Sequence, residues 1–324
     1  MKKKKRNIIN NVRPKKMSYF YGPVPSRRLG FSLGVDIVPK KLCTFDCVYC
    51  QIGRTTKKST RRISYVDFNV LERELRDIIR KSPKIDYITI SGSGEPTLHK
   101  DLDKIILTIK RITRGKLPVC VITNSSLLYR EDVRNELKGA DLIIPSLDAA
   151  TSKTFKMINR AQKGIGLKHI IDGLIKLRRE FKGKIWLEIM LLGGINDTLR
   201  EAEKFKGLIK KLKPDKVQLN LPVRPPAAAV ALPSSSRVNE IKKILDGNIE
   251  IVASSLKARR SKLIQSTECQ ILNFLKRRPA HLDDLKESLG LNSYETMKSL
   301  KKLVKNNKIK AYIYRKKKYF VTHD

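Results

Sequence analysis

No run of apolar residues in this chain approaches the roughly 18 to 20 that a membrane-spanning helix needs. The lysine-rich start, Met1 to Lys16, is followed by no apolar segment of signal-peptide length. A cytoplasmic protein with no membrane partner is therefore expected. Cysteine is scarce: five in 324 residues, three of them within eight positions, make no disulfide framework and suit a reducing compartment. Glycine and proline number only 17 and 14 while 40% of residues are hydrophobic. The chain is thus not disordered and can bury enough core for one large domain and a small one. Acid is the other shortage. Asp and Glu total 31 against 70 Lys and Arg, a net charge of +39. Such an excess attracts polyanions, and nucleic acid is the commonest polyanion in a cytoplasm.

Residues 1–17 carry Lys2 to Lys5, Arg6, Arg13, Lys15 and Lys16 with no acid, which predicts a basic arm. From Leu33 onward short apolar runs alternate with helical patterns. Strands are expected at 33–39, 87–91, 119–124, 142–147, 185–192 and 217–221. Helical spacing shows at Leu71, Leu75, Ile78 and Ile79, and again at Leu102, Ile105, Ile106 and Ile109. Six β-α units predict a parallel sheet with right-handed crossovers in an α/β fold, a partial (β/α)6 TIM-like barrel. Its chemistry would gather at the carboxyl ends of the strands. An irregular Pro- and Ser-rich stretch after Leu221, a helix at 238–245 and an apolar run at 249–252 close the expected core domain, residues 18–252. A basic, polar linker at 253–264 leads to a domain at 265–324, whose helices at 268–277, 282–289 and 294–305 precede a basic hairpin. That order predicts a winged helix-turn-helix. Asn292 and Glu295 form a candidate capping box for the third helix. Met297, Leu300, Leu303 and Val304 are expected as its apolar face, with Lys298, Lys301, Lys302 and Lys305 opposite.

The clustered cysteines, Cys43-Thr44-Phe45-Asp46-Cys47-Val48-Tyr49-Cys50, carry the chemistry. Three thiolates with no adjacent fourth cysteine or histidine are one ligand short of a closed zinc site or a fully ligated four-iron cluster. That shortage leaves a coordination position for something other than protein. An incomplete zinc knuckle is the alternative. Cys120, in the run Pro118-Val119-Cys120-Val121-Ile122, is expected to be a buried strand residue, and Cys269 helix core.

The spacing C-x3-C-x2-C, with aromatic Tyr49 before the last cysteine, resembles the signature of the radical S-adenosylmethionine (SAM) superfamily. The resemblance implies a [4Fe-4S] cluster on Cys43, Cys47 and Cys50 whose open iron is chelated by the amino and carboxylate groups of SAM, and reductive cleavage to methionine and a 5′-deoxyadenosyl radical. Further segments resemble the family in order. Ser91-Gly92-Ser93-Gly94-Glu95-Pro96-Thr97 follows the second strand, where the family places glycines and a Glu that bonds the SAM amino group. Thr123-Asn124-Ser125-Ser126 and Pro145-Ser146-Leu147-Asp148-Ala149 end the third and fourth strands, where Asn124, Ser146 and Asp148 would hold ribose hydroxyls and the SAM carboxylate. Ordinary helix capping is their alternative role. Arg160 is a candidate partner of the SAM carboxylate, and Gln218 and Asn220 fall where the family contacts adenine.

Tyr21-Gly22-Pro23-Val24-Pro25-Ser26-Arg27-Arg28-Leu29-Gly30, Gly94-Glu95-Pro96-Thr97-Leu98, Ser146-Leu147-Asp148-Ala149 with Asn159-Arg160, and Val223-Arg224-Pro225-Pro226 resemble the wyosine-synthase-related group over residues 18–252. Members that make the tricyclic guanine of tRNA hold a second cluster on upstream cysteines, and no cysteine here precedes Cys43. One cluster is therefore expected. Ser26, Arg27, Arg28 and Arg224 are candidates for the substrate side. The expected substrate is RNA, tRNA-like, reached along the basic arm, linker and third helix. The expected electron donor is a ferredoxin or flavodoxin. A protein or small-molecule substrate, with the C-terminal domain as a docking module, is the alternative, and an iron-sulfur DNA-binding regulator a more remote one.

Overall fold

The computed structural model describes residues 18–81, 84–252 and 267–323. The expected basic arm and linker lie outside the described residues. The chain enters as a hairpin, β1 (Phe20–Ser26) and β2 (Gly30–Val35), and two short strands, β3 (Leu42–Cys43) and β4 (Lys57–Lys58), then bracket the cysteine loop. Alternation follows through α1 (Phe68–Lys81), β5 (Tyr87–Ile90), a 3-10 turn at Pro96–Leu98, α2 (Leu102–Thr113), β6 (Val119–Thr123), α3 (Glu131–Leu137) and β7 (Leu142–Pro145). It continues with α4 (Ser152–Asn159), α5 (Leu167–Glu180), β8 (Lys184–Met190), α6 (Leu199–Leu212), β9 (Lys216–Asn220), α7 (Ser235–Leu245) and β10 (Ile249–Ile251).

One sheet takes eight of these strands in the order β1-β2-β5-β6-β7-β8-β9-β10. Every neighbouring pair is parallel except β1 with β2. This is an α/β fold with a mostly parallel sheet whose end strands do not meet, consistent with a partial barrel. The six expected strands are β2 and β5 to β9. Strands such as β6, whose Val119, Cys120 and Val121 are fully buried, are covered on both faces and so read as unbroken apolar runs. Helices cover them from outside: α1 buries Leu71 and Leu75, and α2 buries Leu102, Ile105, Ile106 and Ile109. Thr151, Thr198 and Ser234 start α4, α6 and α7 by accepting a backbone N–H with their hydroxyls.

Two strands of this eight-stranded sheet were not expected, nor were the two-residue strands β3, β4 and, in the C-terminal unit, Ala280–His281. β1 contains Pro23 and Pro25, which normally argue against a strand. It pairs on one side only, and its register slips between Tyr21 and Val24, so the missing N–H groups are tolerated at an edge. β10 is three residues long and adds to β9 in parallel.

The C-terminal unit runs α8 (Thr267–Leu275), β11 (Ala280–His281), α9 (Leu282–Leu289), α10 (Ser293–Lys305), β12 (Ile309–Tyr314) and β13 (Lys317–Thr322). Its strands form an antiparallel sheet in the order β11-β13-β12. Ile271, Phe274, Leu285, Leu300, Leu303 and Phe320 make its core, which Val24 of β1 joins. Asn292 caps α10, its Oδ1 accepting from the Glu295 N–H at 2.8 Å. Two side-chain placements differ from expectation. Met297 and Val304 are 37% and 41% exposed, because the buried face of α10 is Thr296, Ser299, Leu300 and Leu303, one helical stripe that passes between them. Cys269 is exposed rather than core, since α8 buries Gln270, Ile271, Phe274 and Leu275. Arg277 ties this unit to the barrel: its guanidinium donates to the Ser18 carbonyl at 3.0 Å, sits 3.5 Å from the Asp36 carboxylate and lies over the Tyr21 ring.

Candidate active site

A cavity of about 390 Å³ opens where the parallel strands end. Cys43, Cys47 and Cys50 line it, with Tyr49, Gly92, Gly94, Glu95, Asn124, Ser146 and Asn220. Ten of the thirteen residues expected to hold cluster or SAM therefore meet in one place. The cysteine loop is pinned from outside. Asp46 N and Val48 N donate to the carbonyls of Asn159 and Ile158 at the end of α4, and Phe45 packs edge-on against Phe155 with ring centres 5.6 Å apart. The Asn159 amide donates to Cys47 Sγ and the Asn124 amide to Cys43 Sγ, each at 3.4 Å. Burial, then the nearby Glu95 carboxylate, pushes the Cys43 thiol up to about 12; burial and Asp148 raise Cys47, and burial raises Cys50. Burial thus favours the neutral thiols, and a bound cation would favour the thiolates that ligate it. Among the described residues no group of three or more His, Cys, Asp or Glu is gathered closely enough for a single metal ion. A zinc knuckle, with Zn–S bonds of about 2.3 Å, asks for such a gathering. Three thiols lining one cavity of about 390 Å³ leave room for a larger, multi-iron group.

The Gly-Glu segment is locked to this loop. At Gly92, φ is 143° and a Cβ would come within 2.5 Å of the Asp36 carboxyl group. At Gly94 a Cβ would meet the Leu42 carbonyl oxygen at 2.1 Å, and that carbonyl also accepts the Glu95 N–H at 3.1 Å. Gly94→Ala is accordingly expected to shift the residue next to Cys43, lowering stability by about 3 kcal/mol in urea unfolding and reducing iron loading. Glu95 is buried, and burial raises its pKa. Its Oε1 accepts from Thr97 N, Thr97 Oγ1 and Thr123 Oγ1, whereas Oε2 accepts only from Asn124 N. A carboxylate oxygen has two lone pairs, so Oε2 keeps an acceptor position.

The other expected residues divide. Asn124 lines the cavity, but its amide is used to tie the Cys43 loop to β6 through Thr44 Oγ1 at 2.8 Å and Cys43 Sγ. Asn220 donates to Glu188 Oε2 at 3.1 Å. Asp148 is not in the cavity wall: it sits behind, accepting from Tyr49 OH at 2.6 Å and Asn159 at 2.9 Å, with burial pushing its pKa up to about 6. Arg160 does not reach the cavity. It follows α4 with φ 44°, and its 41%-exposed side chain approaches Asp46 at 4.0 Å. Gln218 does not reach it either, being fully buried and donating to Glu250 Oε2 at 2.9 Å. Reasoning from sequence overlooked Glu188, which pairs with Arg28, and Asp36, which accepts from Ser93. An acid inside an apolar strand run, as in Ile185-Trp186-Leu187-Glu188-Ile189-Met190, was the available signal.

The family model described as Radical SAM superfamily matches residues 37–205, more than half of the chain and all three clustered cysteines. The chain belongs to the radical SAM superfamily. A UPF0026 protein of Methanocaldococcus jannaschii is 39% identical over 241 residues, covering 74% of this chain and 74% of that protein. A Brachyspira hyodysenteriae protein named GTPase Obg is 40% identical over 301 residues, 90% of this chain but only 43% of its own length. Among solved structures, TYW1 with a lysine-pyruvate adduct bound shares the fold, with a TM-score of 0.50 at 19% identity over 70% of this chain and 75% of that one. A more distant relative, a probable dual-specificity RNA methyltransferase RlmN of Prochlorococcus marinus, is 25% identical over 177 residues, 52% of this chain and 49% of that protein. The chain is thus a radical SAM enzyme, and its cofactors are a [4Fe-4S] cluster and SAM. No helix among the described residues is long and apolar enough to cross a membrane.

Proposed function

We propose that Cys43, Cys47 and Cys50 hold the single cluster and that this radical SAM enzyme acts on RNA. When bound, the cluster and SAM supply reductive cleavage of the sulfonium and a radical able to abstract hydrogen. The spare acceptor on Glu95 Oε2 suits the SAM ammonium. Gly92 and Gly94 let the backbone approach that ligand, and Ser146 and Asn220 offer polar groups at neighbouring strand ends. Asp148 and Asn159 position Tyr49 and Cys47 from behind. Tyr21 and Arg277, with Arg277 held by Asp36, line the cavity on the side of the C-terminal unit, where they would limit water at the reacting centre.

The observation that carries the RNA reading is the surface of the C-terminal unit. Lys298, Lys301, Lys302 and Lys305 are exposed along α10, beside Tyr294 at 76% exposure, and Arg315 to Lys318 are exposed at the β12–β13 turn. The order of helices and hairpin supports reading this unit as a winged helix-turn-helix, which would bind the backbone, having few side chains suited to base edges. We take residues 18–252 as the catalytic domain and 265–324 as this winged domain, working in the cytoplasm with a ferredoxin or flavodoxin as electron donor. The RNA methyltransferase named among the distant relatives supports the substrate class. The GTPase in another relative's name finds no counterpart: Gly115-Lys116 and Gly183-Lys184 are followed by Leu117 and Ile185, not the Ser or Thr of a P-loop.

The test is RNA affinity against salt. Four or more phosphate contacts predict a log-log slope of about −3 or steeper, with most of the affinity lost when residues 265–324 are removed. Absent or salt-insensitive binding would favour a protein or small-molecule substrate.

A further inference from the structure

The same cavity holds more positive charge than the SAM-facing residues explain. Arg27 and Arg28 of the β1–β2 turn, Arg224 after β9, and Arg277 and Arg278 at the end of α8 all line it. Three have carboxylate partners: Arg28 with Glu188, Arg277 with Asp36 at 3.5 Å, and Arg224 with Asp284 at 4.0 Å. Arg27 and Arg278 have none among the described residues. Arg27 Nη1 and Arg224 Nε are buried without a hydrogen-bond acceptor, and Arg278 stacks on Phe274 with its guanidinium 4.3 Å from the ring centre. Burial, then the neighbouring Arg224 and Arg28, pulls Arg27 down to about 10, and burial followed by Arg224 lowers Arg278. Half-buried guanidinium groups with no carboxylate at ion-pair distance are costly, even with Asp284 in the same cavity wall. This protein keeps two of them facing one cavity.

With Glu95, the fourth carboxylate at the cavity, assigned to the SAM ammonium, five arginines against Glu188, Asp284 and Asp36 leave an excess of two charges. A carboxylate ligand would offset one; a phosphate carries up to two and presents several oxygens to guanidinium forks. We propose that Arg27, Arg224 and Arg278 form a phosphate-binding site that seats a phosphate group of the substrate in the cavity of the three thiols. The site is built jointly, because Arg27 and Arg224 come from the barrel and Arg278 from the C-terminal unit. The C-terminal unit is then part of the active site as well as an RNA-docking surface. The role as substrate subsite rests on the radical SAM reading of the cavity, while phosphate binding by itself does not.

Calorimetric titration of the full chain with inorganic phosphate, at constant ionic strength and with SAM present, tests the site. The Arg27→Gln/Arg278→Gln variant should bind at least tenfold more weakly than wild type, whereas Lys204→Gln/Lys210→Gln on the outer helix α6 should stay within twofold. Thermal melts keep the result interpretable: phosphate should raise the wild-type melting temperature and leave that of the arginine variant unmoved. The unliganded arginine variant should melt no lower than wild type, since it loses uncompensated charge. Equal phosphate binding by wild type and the arginine variant, or an equal loss in the lysine control, would overturn the site. Uridine 5′-monophosphate and a short single-stranded RNA distinguish the sources. Arginine-dependent binding of the RNA supports a backbone phosphate; arginine-dependent binding of the mononucleotide alone keeps the site and overturns the RNA reading.

Discussion

Replacing any one of Cys43, Cys47 or Cys50 with alanine should cut 5′-deoxyadenosine formation at least ~1000-fold, about 4 kcal/mol at 1.36 kcal/mol per decade. Iron content should fall with it. The three thiols line one cavity, and the acids near them are engaged elsewhere: Glu95 and Asp148 have most of their lone pairs occupied by protein donors, and Asp46, outside the cavity wall, accepts from Thr55 N and faces Arg54 and Arg160. The remaining cysteines supply the control. Cys120 is buried on β6 and Cys269 exposed on α8, neither in the cavity wall. Cys120→Ala should keep its iron while losing about 1 kcal/mol of stability for the small cavity created, and Cys269→Ala should be silent in both respects. Iron analysis and product chromatography on the five variants read this directly. Retained iron and activity in a Cys47→Ala protein would contradict the assignment.

The second large effect is expected at Glu95. Glu95→Ala strands four donors in a buried site, Thr97 N, Thr97 Oγ1, Thr123 Oγ1 and Asn124 N. At roughly 1 to 3 kcal/mol per unsatisfied group, with relaxation recovering part of the sum, the fold should lose about 4 kcal/mol. Glu95→Gln separates binding from folding. Its oxygen can keep the three bonds of Oε1, but its amide would face both Asn124 N and the SAM ammonium with hydrogens. A charge-assisted bond is worth about 1.5 to 3 kcal/mol, so SAM affinity should fall by roughly 10- to 150-fold with a smaller stability loss than in the alanine variant. The pH dependence follows in sign. Burial holds the Glu95 carboxyl above the ordinary range, so the carboxylate protonates earlier on acidification. SAM binding by wild type should therefore weaken at a higher pH than an exposed glutamate would give, and Glu95→Gln should lose that dependence. Equal SAM affinity in Glu95→Gln and wild type would remove Glu95 from the ammonium site.

What was legible in the sequence follows from what each signal reports. The parallel strands were readable because strands covered on both faces must be apolar throughout, as in Val119–Thr123. β1 was hidden by its prolines, whose lost N–H groups matter little at a sheet edge. The cysteines, Gly94 and Glu95 line one cavity, as their motif spacing led us to expect. Arg160 and Gln218 were misplaced because chain position does not give side-chain direction. Arg160 sits in a left-handed residue that carries it toward Asp46. Gln218 shares a face with Asn220, but two residues, about 7 Å, nearer the start of the strand. There it lies in register with Glu188 and Glu250 inside the barrel. Arg277 and Arg278 could not be anticipated, since they come to Tyr21, Asp36 and the cavity of the cysteine loop from more than 220 residues away in sequence.

Anaerobic reconstitution of the full chain, followed by reduction in the presence of SAM, tests the central claim most directly. The account predicts about four irons per chain and 5′-deoxyadenosine from wild type, with both lost in the Cys43, Cys47 and Cys50 variants. Cluster-loaded wild-type protein that yields no 5′-deoxyadenosine with or without cellular RNA, or a cluster that survives loss of these thiols, would contradict it.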